Sequence, residues 1–238
     1  MEQTITTFVP ESESIELVKY YSKFLDYYPN CEPETKLWCT QMLKSSDTVI
    51  DAGANIGYFS ILFSRCVPDG RVYAFEPTET FTMLESNLQH NGCCNVITEQ
   101  LALGDKTGVY RDGILRIWGE PGEYKNYTFT TLDNYVDKHQ INQIDLIKVD
   151  IDGYEYEFLE GAVNTLERFD PFIVLELNSA LATRRRFPSD ILAWMNQKGY
   201  AESLILDGEN FVFRRSGSLR ESATCRMAYD MTFYKPVN

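Results

Sequence analysis

The sequence predicts an α/β protein: a mostly parallel sheet covered by helices on both faces and closed by antiparallel strands. Three observations lead there. Apolar runs without period-2 alternation recur between residues 47 and 178, each separated from the next by a helical pattern; strands buried on both faces read this way. A glycine-bearing turn follows the first run, and an acid ends the second, as in strand–turn–helix units that hold a nucleoside. Beyond residue 178 the pattern changes, and two short apolar runs flank Asp207-Gly208, a hairpin signal.

In chain order, residues 1–46 carry no convincing strand and are read as an N-terminal helical cap; residues 47–238 form the main domain. Ile15, Leu17, Val18, Tyr21, Phe24 and Leu25 make a helical stripe over 14–28. A second helix is expected over 32–43, with Pro33 in its first turn. Strands follow at 48–52, 71–75, 95–103, 145–151 and 172–177. Helices lie between them at 58–66, 81–91, 132–138 and 154–168, and another at 189–197 ends on Gly199. Residues 203–206 and 211–214 form the hairpin, and 231–234 adds a last strand. Residues 105–130 read as a long loop holding Trp118, Tyr124 and Tyr127. A loop of that length inside a compact domain usually has a function, and its aromatics suit a sugar or a ring.

Lysine plus arginine number 22 against 35 acids, a formal charge of −13. Such a chain repels phosphate backbones, so no nucleic-acid partner is expected. No run approaches the roughly 18 apolar residues of a membrane span. The first residues lack the charged and apolar regions of a signal peptide. The six cysteines form no CxxC pair, and there are two histidines, His90 and His139; a zinc site is not expected. Reduced thiols and a cytoplasmic location are the simplest reading. Nothing in the sequence sets the oligomeric state.

The chemistry concentrates in VIDAGANIGYFS, residues 49–60, where a strand delivers Asp51, then Gly53, Asn55 and Gly57, into a helix. Glu76 follows at the end of the second strand, where an acid accepts both hydroxyls of a ribose. A dinucleotide wants GxGxxG around its pyrophosphate. Here the glycines are spaced GxxxG, and Asp51 would repel a pyrophosphate. A carboxylate at that point suits a ligand with a cationic amino group, such as S-adenosylmethionine.

DAGANIGYFS, AFEPTETFTMLESNLQHN, LALGD, TTLDNYV, IDLIKVDIDGYEYEFLEGA and FIVLELN, in this order over about residues 47–178, resemble the FkbM family of S-adenosylmethionine-dependent methyltransferases. The resemblance implies a class I, Rossmann-like methyltransferase fold of seven strands with the last antiparallel. It also implies methyl transfer to a hydroxyl oxygen of a small-molecule acceptor, a sugar or natural product. Carried over by motif, Asp51, Gly53, Asn55 and Gly57 lie beside the methionine part of the cofactor, Glu76 binds the ribose, and Ala102 and Leu103 border the adenine. Such families usually have Glu after the fourth-strand Asp; this chain has Asp152.

Methyl transfer to an alcohol needs a base, or a metal that acidifies the hydroxyl. Both histidines fall away from the strand ends, so a carboxylate is expected as base: Asp150 first, Glu176 second. Asp150, Glu176 and Asn178 also offer oxygens to a hard divalent cation. Lys148 lies inside a strand that should be covered on both faces, so it should pair with a carboxylate, Glu176 favoured; otherwise it touches the acceptor. Asp152-x-x-Glu155 reads as a capping box ahead of a helix. In LATRRRFP, Arg184, Arg185 and Arg186 form a solvated turn or, with Arg185 foremost, a clamp for an acidic group on the acceptor. Two rivals stand beside the methyltransferase. One is a nicotinamide-dependent oxidoreductase, which the absent GxGxxG weakens. The other is a non-catalytic cofactor-binding protein.

Overall fold

The structure is a computed structural model that describes residues 4–7, 14–22, 25–114 and 124–215. Two short strands, β1 (Ile5–Thr7) and β2 (Ile15–Leu17), pair antiparallel. Then come α1 (Pro33–Met42), β3 (Thr48–Ala52), α2 (Tyr58–Cys66), β4 (Arg71–Phe75), α3 (Phe81–His90) and β5 (Val96–Glu99). Next are β6 (Ala102–Leu103), β7 (Gly108–Asp112), β8 (Lys125–Thr130), α4 (Leu132–Lys138) and β9 (Leu146–Val149). The described chain finishes with α5 (Glu155–Glu160), α6 (Val163–Phe169), β10 (Phe172–Glu176), a 3-10 turn (Ser179–Arg184), α7 (Pro188–Gln197), β11 (Tyr200–Leu206) and β12 (Asn210–Arg215).

Seven strands form the central sheet in the order β11-β12-β10-β9-β3-β4-β5. The five from β5 to β10 are parallel, and β12 runs antiparallel between β10 and β11. Both faces are covered. Trp38, Ile61, Phe63 and Leu84 pack on one face together with Ile5, Ile15 and Leu17. Tyr135, Phe158, Leu166 and Met195 pack on the other. The N-terminal segment therefore shares a core with the sheet.

Four expectations need correction. The stripe over 14–28 does not begin as a helix: Ile15 and Leu17 are buried and Glu16 points out, the period of a strand. The backbone there finds its partners on α3. The Asn87 side-chain oxygen accepts the N–H groups of Val18 and Lys19, each at 2.9 Å, and its amide donates to the Lys19 carbonyl at 2.8 Å. Residues 95–103 divide after Glu99, and β6 leaves the main sheet to pair with β8. The expected loop over 105–130 contains β7 and β8, an antiparallel arm beside β6. The helix over 154–168 breaks at Gly161, where an added Cβ would lie 2.0 Å from the Gly104 carbonyl oxygen. The expected strand at 231–234 lies outside the described residues, as do Trp118 and Cys225.

Candidate functional site

Strand order reverses at β3, with β4 on one side and β9 on the other. At such a switch point the loops leave in opposite directions and open a crevice at the carboxyl ends of the strands. Two cavities lie there. The smaller, about 590 Å³ to its open mouth, has an apolar slot of Phe75, Leu101, Ala102, Leu103 and Ile114, with Glu76 and Thr78 beside it. The larger, about 1410 Å³, is lined by Asp51, Phe59, Lys148, Glu176 and Asn178, and by Tyr27, Tyr28 and Glu32 from the N-terminal segment. Gly53, Asn55, Asp150 and Asp152 line both.

The shared wall is tight. Gly53 has φ +87°, and a Cβ there would lie 1.8 Å from the Asp150 carbonyl oxygen. Glycine alone lets the turn after β3 press against the end of β9. Asn55 is also left-handed, at φ +49°, a conformation asparagine tolerates. Its Oδ1 is buried without a hydrogen-bond partner among the described residues.

Glu76 is buried at the end of β4. Its Oε1 accepts the Thr78 N–H at 2.8 Å and the Thr78 hydroxyl at 2.5 Å; its Oε2 accepts the Asn55 N–H at 3.0 Å. A carboxylate offers about four acceptor positions; Thr78, Asn55 and the Thr80 hydroxyl crowd them, and Oε2 keeps the most room for a ligand. Burial pushes the Glu76 carboxyl above the ordinary carboxylate range, against the pull of those bonds. Asp51 is buried too, accepts the Ser60 hydroxyl at 2.5 Å, and is pushed up to about 6 by desolvation.

Lys148 is 2% exposed. Its ammonium lies 2.8 Å from Asp150 Oδ2, 4.0 Å from Glu32 Oε2, and 4.4 Å above the Phe59 ring. The expected burial and carboxylate pairing hold, but the partner is Asp150, not Glu176. The register explains this. Val174 stands opposite Lys148 and Leu175 opposite Val149, which sets Glu176 beside Asp150. Burial, and then the neighbouring Asp150, push Glu176 above the ordinary carboxylate range, and the two carboxyls share a hydrogen bond. Asn178 donates to Glu176 Oε2 at 2.7 Å and accepts the Ala180 N–H at 2.8 Å, so it braces Glu176 and the 3-10 turn.

Arg185 is not brought to the site: it is exposed at φ +58° and lines neither cavity. Its neighbours serve structure. Arg184 donates to Asp112 at 2.8 Å and lies 3.4 Å from the Tyr154 ring centroid, pinning β7 beside the smaller cavity; Arg186 covers Tyr156. The expected capping box is not formed: Tyr154 stands ahead of α5 with no side-chain cap bond. Glu155 accepts the N–H groups of Ile151 and Gly153, but Asp152 is left-handed, caps nothing, and faces both cavities. Burial and neighbouring Asp150 push Asp152 up to about 7. Among the described residues, no three His, Cys, Asp or Glu side chains gather as a metal-holding group. Among the described residues no helix is long and apolar enough to cross a membrane. Sequence reasoning missed Glu32, Tyr27, Tyr28 and Glu209, all on segments flanking the recognised motifs.

A parallel sheet of this order, reversed at β3, with a glycine turn after β3 and a buried acid ending β4, defines the class I S-adenosylmethionine-dependent methyltransferase fold. The chain belongs to the FkbM methyltransferase family, whose Methyltransferase FkbM domain matches residues 51–201. It is 26% identical to the hexuronic acid methyltransferase AglP of Haloferax volcanii, over 58% of this chain and 59% of that one. It is 25% identical to methyltransferase sdnD of Sordaria araneosa, over 50% and 61%. The chain spans about three fifths of the length of the curated relatives it matches. The crystal structure of an FkbM methyltransferase from Methylobacillus flagellatus superposes with a TM-score of 0.54 at 18% identity, covering 72% of this chain and 44% of that one; this likeness concerns the fold.

Proposed function

We propose that this chain methylates a hydroxyl oxygen of a small sugar or natural-product acceptor, using S-adenosylmethionine. The observation that carries the reading is the shared wall: an apolar slot with a buried acid beside it and a polar chamber meet at Gly53, Asn55, Asp150 and Asp152. The residues fit the cofactor. Phe75, Leu101, Ala102 and Leu103 would border its adenine, and Glu76 would take a ribose hydroxyl on Oε2. Asp51 and Asn55 would face its amino-acid end, where the unpartnered Asn55 Oδ1 needs a donor. When bound, the cofactor supplies a methyl group on a cationic sulfur.

This chain's own residues do the rest. The acceptor sits in the larger chamber, and its reacting hydroxyl reaches Asp150 at the shared wall. Lys148 holds Asp150 at Oδ2, and Glu176 steadies it from β10. Asp150 receives the hydroxyl proton as the oxygen attacks. Positioning and one proton transfer are the protein's main contributions. The test is transfer of labelled methyl from S-adenosylmethionine into a panel of hydroxylated acceptors, with Asp150→Asn alongside. The variant keeps size and hydrogen bonding but loses basicity, so turnover should fall about 10²–10⁴-fold with cofactor affinity little changed. Near-normal turnover would remove Asp150 from the proton's path.

A further inference from the structure

Part of the acceptor chamber lies outside the family-matched segment 51–201: Tyr27, Tyr28 and Glu32 precede it, and Glu209 follows it. Glu32 is built into place. It stands ahead of α1 at φ +40°. Its Oε2 accepts the Asn210 side-chain amide at 3.1 Å, and its Oε1 accepts the Tyr27 hydroxyl at 3.4 Å. The start of α1 is clamped to the β11–β12 turn. Asp207 accepts the N–H groups of Glu34 and Thr35 at 3.1 and 2.8 Å, and Glu34 accepts the Asp207 N–H at 2.7 Å. A carboxylate held this way does not swing out to solvent when a ligand enters.

The chamber's charges are unbalanced. Glu32, Asp150, Asp152 and Glu209 contribute carboxyls on the acceptor side, whereas Asp51 is left to the cofactor's amino-acid end and burial pushes Glu176 toward its neutral form. Among the described lining residues the one cation is Lys148, and it is already engaged by Asp150 at 2.8 Å and shared with Glu32 at 4.0 Å. One further polar group lacks a good partner: the buried Tyr58 hydroxyl, 2% exposed as a residue, has the weakly accepting Cys31 thiol for its polar neighbour. An acceptor that brings donors and positive charge satisfies these groups. An acceptor carboxylate would meet like charges in a confined space with no spare cation.

We propose that Glu32 is a specificity-determining residue that makes the chamber select a hydroxylated acceptor carrying an amine and reject one carrying a carboxylate. This rests on the methyltransferase reading above and names its substrate class. It predicts a preference unlike the acid named for the Haloferax relative.

The test uses three probes on the full chain saturated with S-adenosylhomocysteine: the methyl glycosides of glucosamine, glucose and glucuronic acid, titrated to millimolar concentration by ligand-observed NMR. The aminoglycoside should bind about tenfold tighter than the neutral sugar, and the glucuronide weakest. Glu32→Gln keeps one oxygen, for the Asn210 amide, and turns an N–H toward the Tyr27 hydroxyl, but removes the charge, so it should erase most of the amine advantage while changing the neutral sugar's affinity far less. A merely structural role for Glu32 would weaken all three probes together. Equal binding of amine and glucuronide, no binding of the amine, or an amine-to-neutral ratio unmoved in Glu32→Gln would each overturn the proposal. Failure of S-adenosylhomocysteine to bind at the outset would instead strike the methyltransferase reading, which separates the two.

Discussion

Replacing Lys148 with Met removes a buried ammonium from among carboxyl groups and leaves the core otherwise filled. The amine is 2% exposed, 2.8 Å from Asp150 and 4.0 Å from Glu32. Breaking one half of a buried pair costs about 3–5 kcal/mol, because the remaining charge is stranded in a poor solvent. At about 2–4 °C per kcal/mol for a chain of this size, the melting temperature should fall by roughly 6–20 °C at pH 8, read by circular dichroism. The loss should depend on pH in a definite direction. Burial raises Glu32 to about 7 and Asp51 to about 6, whereas unfolded carboxyls titrate near 4. Between those values the native state binds more protons than the unfolded state, so these groups lower stability as pH rises through the window. The Lys148 charge opposes both upward shifts. Without it the shifts grow, and the gap between wild type and variant should narrow from pH 8 to pH 5.5. Lys148→Met/Asp150→Asn should recover part of the loss. A melting temperature within about 2 °C of wild type at pH 8, or a gap that widens on acidification, would refute the reasoning.

Glu76→Ala takes the acceptor away from the Asn55 and Thr78 N–H groups and, on the proposed reading, from the ribose. The S-adenosylhomocysteine dissociation constant should rise about 10–100-fold by calorimetry, with a milder effect for Glu76→Gln; an unchanged constant would exclude Glu76 from the site. Gly53→Ala drives a methyl group to 1.8 Å from the Asp150 carbonyl oxygen at φ +87°. It should cost more than about 1–3 kcal/mol of stability and at least tenfold in cofactor affinity, and a variant that melts and binds as wild type would show that the two loops are not in contact.

The central strands were legible because each carries its own signal: an unbroken apolar run with a turn behind it. The shared wall was legible in part for the same reason, since Gly53, Asn55 and Gly57 announce a turn within a few residues of one another. What escaped depends on distant partners. β2 pairs with β1, and the residues just after it, Val18 and Lys19, are held by Asn87 nearly 70 residues on, so the stretch alone reads as a helical stripe. Glu32 reaches the chamber because Asp207 clamps α1 across 172 residues, and no local pattern records that. The partner of Lys148 was within reach of sequence logic. Residues i and i+2 share a face of a strand, which puts Asp150 on the same side as the Lys148 side chain, while β3 sets Asp51 opposite it. Arg185 was misplaced because the 3-10 turn ends on it in a left-handed conformation and turns it outward, while Arg184 faces Asp112 and Tyr154.

The central claim is that the slot at the end of β3 and β4 is built for S-adenosylmethionine. Its most direct test is a calorimetric titration of the purified chain with S-adenosylhomocysteine and, separately, with NAD. Saturable binding of S-adenosylhomocysteine, weakened in Glu76→Ala, and no heat with NAD are expected. Binding of NAD without binding of S-adenosylhomocysteine would contradict the account.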